Sequence, residues 1–192
     1  MFRKNYKNYS DEELMQFIKR GKEAAFDELY ARYADKLYGY FYKMLWQNDE
    51  KANDFTQEVF LKIIEKPHLF NTSKRFSTWV FTVANNLCKN EYRKNTNRQK
   101  AYNGFSILQE EITEYNIQKL DNELFINKIN EAIEILEEHH KACFLLRYKQ
   151  ELSVKEISKI VNCPEGTVKS RLYHATKKIQ SAVSNLKKLQ RS

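Results

Sequence analysis

Apolar side chains recur every three or four positions through most of the chain, the spacing that gathers them on one face of an α-helix. Leu14, Phe17, Ile18 and Gly21 open the series, and Phe26, Leu29, Tyr30, Tyr33, Leu37, Tyr40, Phe41 and Met44 carry it onward. This run predicts one long amphipathic helix. Ser10-Asp11-Glu12-Glu13 marks its start as a capping box, in which the Ser10 hydroxyl accepts from the Glu13 amide and the Glu13 carboxylate reaches back. Gln47-Asn48-Asp49 ends it. Ala52, Phe55, Val59 and Ile63 mark the next helix, which Pro67 terminates. Residues 68–75 read as a loop. Phe76, Trp79, Val80, Val83 and Leu87 then form the apolar stripe of a further helix, with Asn85, Lys89 and Arg93 on another face.

From Asn95 to about Glu123 the periodicity fades into polar and then acidic sequence containing Gly104, which reads as a linker. Ile126, Ile129, Ile133 and Leu136 restart a helical stripe, and Cys143, Phe144, Leu146 and Tyr148 belong to another helix. Four Gly and two Pro in 192 residues are too few turn formers for a β-sandwich or barrel. The predicted fold class is all-α: two small helical domains, over residues 8–97 and 123–190, joined by a flexible linker over 98–122. With 42% hydrophobic residues the chain can bury a core. No apolar run reaches the length of a membrane span, so no membrane insertion is expected. Met1–Tyr6 holds no signal-peptide apolar stretch, and Cys88, Cys143 and Cys163 are widely separated. A disulfide framework is therefore not expected, and a reducing cytoplasm fits better.

Charge changes the picture. The formal net charge is +8, distributed as +6 over residues 1–100, −5 over 101–135 and +7 over 136–192. Two basic blocks flank an acidic segment, and basic blocks attract polyanions by releasing their condensed counterions. From Gly166 to the end there are seven basic residues and no acidic one.

The sharpest local signal lies in the second basic block. Ser153-Val154-Lys155-Glu156 is a second capping box, opening a short helix with Val154, Ile157, Ile160 and Val161 apolar. Asn162-Cys163-Pro164 interrupts: Asn tolerates the left-handed backbone of a tight interhelical turn, and Pro suits the first turn of a new helix. Ser158 is small where the two helices must approach. At about 100° per residue, Val168, Leu172, Ala175 and Ile179 fall within about 60° of arc and form the buried side. The opposite side carries Gly166, Ser170, Tyr173, His174 and Lys177, flanked by Thr167, Lys169 and Arg171. Such a face suits a DNA major groove, with Tyr173 and His174 reaching base edges and Lys169, Arg171 and Lys177 neutralising phosphates.

Three stretches resemble the bacterial RNA polymerase sigma factors. Phe144–Tyr148, Leu152–Ile157 and Gly166–Leu172 resemble region four of that family. Asp54–Lys62 resembles the region-two segment that binds RNA polymerase. Phe76–Trp79 with Ala84–Leu87 resembles the segment that melts and reads the −10 promoter element. Their order and the short intervening linker resemble the extracytoplasmic-function (ECF) subfamily. The resemblance implies a non-enzymatic initiation factor that needs no cofactor. Its implied partners are core RNA polymerase (the β′ clamp and the β subunit), promoter DNA and an anti-sigma factor. Asp54, Gln57, Glu58 and Leu61, which share one helix flank, are then the polymerase-binding residues. Phe70, Lys74, Arg75, Asn85, Asn86, Lys89 and Arg93 are assigned to the −10 element. Thr167, Lys169, Ser170, Arg171, Tyr173, His174 and Lys177 are assigned to the −35 element. Two departures are visible: Asn85 stands where many members carry Arg, and Leu136-Glu137 where they often carry Leu-Pro.

Other chemistry fits less well. Asp54 and Glu58 could hold a metal for a helical nuclease, but no His accompanies them in sequence. His139 and Cys143 are spaced for one helix face, yet two ligands do not make a zinc site. A helix-turn-helix repressor or activator is the competing binding function, and it needs neither the Gln57-Glu58 face nor the cationic 85–93 face.

Overall fold

The computed structural model describes residues 6–101 and 121–189, and the elements they form are all helical. In chain order these are α1 (Asp11–Ile18), α2 (Glu23–Met44), α3 (Asp49–Glu65), a 3-10 turn (Pro67–Leu69), α4 (Phe76–Ala101), α5 (Asp121–Glu134), α6 (Glu138–Tyr148), α7 (Val154–Val161) and α8 (Glu165–Leu189). The all-α class read from the sequence is the class observed. The inter-domain linker placed at 98–122 falls largely outside the described residues. α4 extends four residues past the anticipated boundary at 97, and α5 starts two residues before 123.

The single helix predicted across residues 11–44 is two. Gly21 adopts φ +72, in the left-handed region where glycine meets no Cβ penalty, and Lys22 is extended at φ −89, ψ 97. A helix cannot pass through such a pair, so α1 folds back onto α2. Asp11, at the far end of α1 from the turn, ties that helix to the middle of α2: its carboxylate accepts from Arg32 Nη1 at 2.8 Å and from the Tyr33 hydroxyl. The apolar period runs through the break because both helices face the same core. The Ser10 capping box forms, with the Glu13 amide donating to Ser10 Oγ at 3.2 Å and Glu13 accepting from the Ser10 amide at 2.8 Å. α2 ends where Trp46 and Gln47 turn to φ 56, and Asn48 caps α3 by accepting from the Lys51 amide at 2.8 Å.

Large rings fill the space between α1, α2, α3 and α4. Tyr40, Phe41, Phe70, Phe76 and Phe81 are all essentially inaccessible. They meet edge to face: Tyr33 on Phe76 at 5.0 Å, Phe70 on Phe76 at 5.4 Å and Tyr40 on Phe81 at 5.6 Å between centroids. The buried face of α4 differs from the predicted stripe. Phe76, Val80, Phe81, Ala84, Asn85 and Cys88 are buried, whereas Trp79, Val83 and Leu87 are half-buried. α4 is covered on two sides, by α1–α3 and by α7, so its buried arc is wider than an amphipathic stripe and is turned away from it.

In the second group of helices, Ala132, Ile133, Ala142, Cys143, Leu145, Leu146, Ile157, Ile160, Val161, Val168 and Ala175 make an aliphatic core. Ile126 and Tyr148, read as stripe residues, are each 55% exposed. Ile126 lies about 70° round the helix from the centre of the face set by Ile129, Ala132 and Ile133. The two groups share one continuous buried cluster, through α4 against α7 and α2 against α6.

Candidate nucleic-acid interface

The turn between α7 and α8 is built from local sequence. The Ser153 amide and hydroxyl donate to Glu156 Oε2 at 2.9 and 2.6 Å, and the Glu156 amide donates to Ser153 Oγ at 3.3 Å. Asn162 adopts φ 54, ψ 58 and ends α7. The Ser158 hydroxyl donates to the Cys163 carbonyl at 2.7 Å, while the Cys163 amide donates to the Ser158 carbonyl at 3.1 Å. Ser158 therefore staples the turn as well as leaving room for it. Val168, Ala175 and Ile179 are buried and Leu172 is half-buried, which orients α8. Gly166, Lys169, Ser170, Tyr173, His174 and Lys177 lie exposed together on its outer side, and Thr167 is half-buried at its start.

Arg171 does not join them. Its guanidinium sits 3.5 Å from Cys163 Sγ and lines a cavity of about 220 Å3 between the two helical groups, with Asn85, Lys89, Glu138 and His139. It is on the flank of α8 that turns toward α4, so in this arrangement it is withdrawn from the groove-facing side.

Residues assigned to the −10 element divide three ways. Lys74, Arg75, Asn86 and Arg93 are exposed. Phe70, by contrast, is fully buried against Phe76 and Trp79, so no face of its ring is open to a base; it is a core residue here. Lys19 fixes it further by donating to its carbonyl at 2.7 Å. Asn85 and Lys89 face α7. Asn85 is 2% exposed, accepts from the Tyr40 hydroxyl at 3.2 Å and donates to the Ile160 carbonyl at 3.3 Å. Lys89 Nζ donates to the Val161 carbonyl at 3.2 Å. Both carbonyls belong to the last turn of α7, where the helix leaves its acceptors unpaired and carries partial negative charge. Arg75 Nη1 reaches Glu156 Oε1 at 3.1 Å, at the other end of the same short helix. Burial raises the Glu156 pKa, but its bonds from Ser153 and from Arg75 outweigh this and hold the carboxyl below its ordinary value.

The α3 flank is intact. Asp54, Gln57, Glu58 and Leu61 are all exposed. Ile64 joins them as a second half-exposed aliphatic residue that sequence reading omitted; its spacing of three from Leu61 was the available signal. Asp54 and Glu58 belong to no cluster of three metal-ligating groups among the described residues. Cys143 is buried, with its thiol pushed up to about 11 by that burial, whereas His139 is largely exposed beside Glu137. No described helix is long and apolar enough to cross a membrane.

Residues 29–98 match sigma-70 region 2 and residues 126–179 match sigma-70 region 4. Fold and motifs together define the class: an all-helical transcription initiation factor with both sigma-70 regions in order. The chain is 30% identical over 179 residues to the ECF RNA polymerase sigma factor SigW of Bacillus subtilis (strain 168), covering 88% of this chain and 94% of that protein. It is 27% identical over 186 residues to the ECF RNA polymerase sigma-E factor of Escherichia coli (strain K12), covering 92% and 96%. The chain belongs to the ECF family of RNA polymerase sigma factors, non-catalytic proteins of promoter-specific transcription initiation. Its fold is similar to that of the sigma factor RpoE of Bartonella quintana, solved in complex with the anti-sigma factor NepR, at TM-score 0.67 and 21% identity, covering 83% and 96% of the two chains. It is equally similar in fold to CnrH, solved with the cytosolic domain of CnrY, at TM-score 0.67 and 17% identity, covering 91% and 97%.

Proposed function

We propose that this sigma factor divides promoter recognition between its two helical groups. α1–α4 bind core RNA polymerase through the Asp54, Gln57, Glu58 and Leu61 flank, extended by Ile64, and open the −10 element. The β′ clamp meets that flank, and the β subunit is a further contact. α5–α8 read the −35 element as duplex through Lys169, Ser170, Tyr173, His174 and Lys177. One tether joins two weak sites, and each raises the effective concentration of the other. The observation that carries the reading is the outer face of α8: exposed, free of acid beyond Glu165, and set by the left-handed Asn162 turn. The protein acts where polymerase and chromosome are, in the cytoplasm.

The −10 assignment requires movement. Asn85 and Lys89 donate to carbonyls of α7, and Arg75 pairs with Glu156. DNA phosphates are stronger acceptors for these groups than helix-end carbonyls. Core polymerase and promoter DNA therefore draw α4 and α7 apart, and Arg171 is released with them. An anti-sigma factor, the kind of partner seen with the structural relatives, would instead hold the polymerase-binding flank covered.

Run-off transcription with core polymerase tests the reading. A matched promoter should give a defined transcript that core enzyme alone does not make; no promoter-specific transcript from any template would falsify it. Glu58→Lys should weaken core binding while full-chain binding to a −35 duplex is unchanged. Equal loss of both would contradict the division between the two groups.

A further inference from the structure

Three of the chain's four histidines meet at one place: the neighbours His139 and His140, and His174 from further along the chain. His139 and His140 stand in the first turn of α6, their rings 4.4 Å apart, and the ring of His174 from α8 lies 5.9 Å from that of His140. Glu137, the residue just before α6, places its Oε2 3.1 Å from His139 Nε2 and 3.7 Å from His140 Nδ1. One ligand atom from each of Glu137, His139 and His140 lies within 4.8 Å of the others. A tetrahedral ion with metal–nitrogen bonds of about 2.0–2.1 Å has ligand atoms separated by roughly 3.3 Å. The two measured carboxylate–imidazole separations bracket that edge. The cluster is open to solvent, so an ion has a path in.

We propose that Glu137, His139 and His140 bind a divalent transition-metal ion of the zinc class, with His174 completing its coordination. Two imidazoles and one carboxylate form the donor set that zinc, cobalt and nickel accept, and the imidazoles disfavour magnesium and calcium. The fourth position falls to His174 or to water. An ion that takes His174 draws it from the outer face of α8 toward α6. Metal occupancy thus opposes reading of the −35 element, a consequence that rests on the assignment of α8 to that element.

The test uses the full chain in chelator-free buffer, titrated with Zn2+ by calorimetry and with Co2+ by visible absorption. One ion should bind per chain, with the d–d bands of tetrahedral cobalt and no sulfur charge-transfer band. His139→Ala/His140→Ala should lose at least tenfold in affinity. Glu137→Gln, which keeps the size of the side chain, should also bind more weakly while circular dichroism shows the helices intact. His174→Gln should bind several-fold more weakly; unchanged affinity removes His174 from the ligand set. No binding by the natural sequence, equal binding by the double variant, or a thiolate band from Cys88, Cys143 or Cys163 overturns the site. In a second arm, Zn2+ should release a −35 duplex from the natural protein and not from the double variant. If neither protein binds any duplex, the role given to α8 fails while the metal result stands.

Discussion

The helices of α1–α4 and those of α5–α8 bury their apolar faces with different materials. Five fully buried rings, those of Tyr40, Phe41, Phe70, Phe76 and Phe81, occupy the first group. The described buried hydrophobic residues of the second are aliphatic or small: alanines, isoleucines, leucines, valines and a cysteine. A buried ring removes about 150–250 Å2 from water, several times what an alanine contributes. The first group therefore holds its shape through volume. The second is small, and chains of that size have little core to draw on. It is held by local devices instead: a capping box, a left-handed Asn and the Ser158–Cys163 staple. It also leans on α4, whose Asn85 and Lys89 satisfy the end of α7. The larger core carries the smaller module through a shared apolar cluster and through polar contacts, of which Lys89 to Val161 is half-buried and Arg75 to Glu156 is exposed, where DNA can compete for them.

The largest expected effect is in the aromatic core. Phe41→Ala should cost about 3–5 kcal/mol in urea unfolding of the full chain, because the cavity it leaves is surrounded by other fixed rings. Ile157→Ala, in the aliphatic core, should fall at the low end of about 2–5 kcal/mol. A larger loss at Ile157 would erase the contrast between the two groups.

Next is the turn. Asn162→Val forces a β-branched residue into φ 54, and the left-handed region costs about 1–2 kcal/mol per such residue. Asn162→Gly should melt within a degree or two of the natural protein. Equal thermal shifts from Val and Gly would mean that the conformation of the turn is not what stabilises α7.

Smaller bond by bond, and comparable in sum, is the contact between the groups. Asn85→Ala/Lys89→Ala removes two hydrogen bonds to α7 carbonyls, each worth about 0.5–1.5 kcal/mol net. Small-angle scattering should show an expanded particle, with the helical content unchanged. An unaltered radius of gyration would place the cohesion of the two groups elsewhere.

The smallest effect belongs to Arg75, whose side chain is 76% exposed beside Glu156. Arg75→Gln should cost about 0.2–1 kcal/mol near neutral pH, as exposed pairs do. The Glu156 carboxyl is depressed in the folded protein, so its contribution is complete above the ordinary value of 4.5 and is lost as pH falls through the folded value. The difference between Arg75→Gln and the natural protein should vanish in acid; a difference that grows on acidification assigns the pair the wrong sign.

Much of the molecule was legible in the order of residues, because much of it is made locally. Both capping boxes, at Ser10 and Ser153, use partners three residues apart, and both form. The Asn162 turn and the buried side of α8 follow from backbone preference and helical angle alone. The break at Gly21 was hidden because two helices facing one core continue the same period across a turn. The face of α4 was misread because a period reports one buried side, and α4 has two. Phe70 reads as an accessible loop ring until Phe76 and Trp79 close over it.

Helix type, helix order, the basic face of α8 and the family are properties of the sequence by itself, since each depends on neighbours within about two turns or on motifs in a row. Tertiary structure alone decided that Asn85 and Lys89 serve α7, that Arg171 turns inward, and that His174 comes to the Glu137, His139 and His140 cluster. Those outcomes depend on which helix ends come to rest together, and pairs separated by tens of residues in the chain leave no periodic trace of where they will meet.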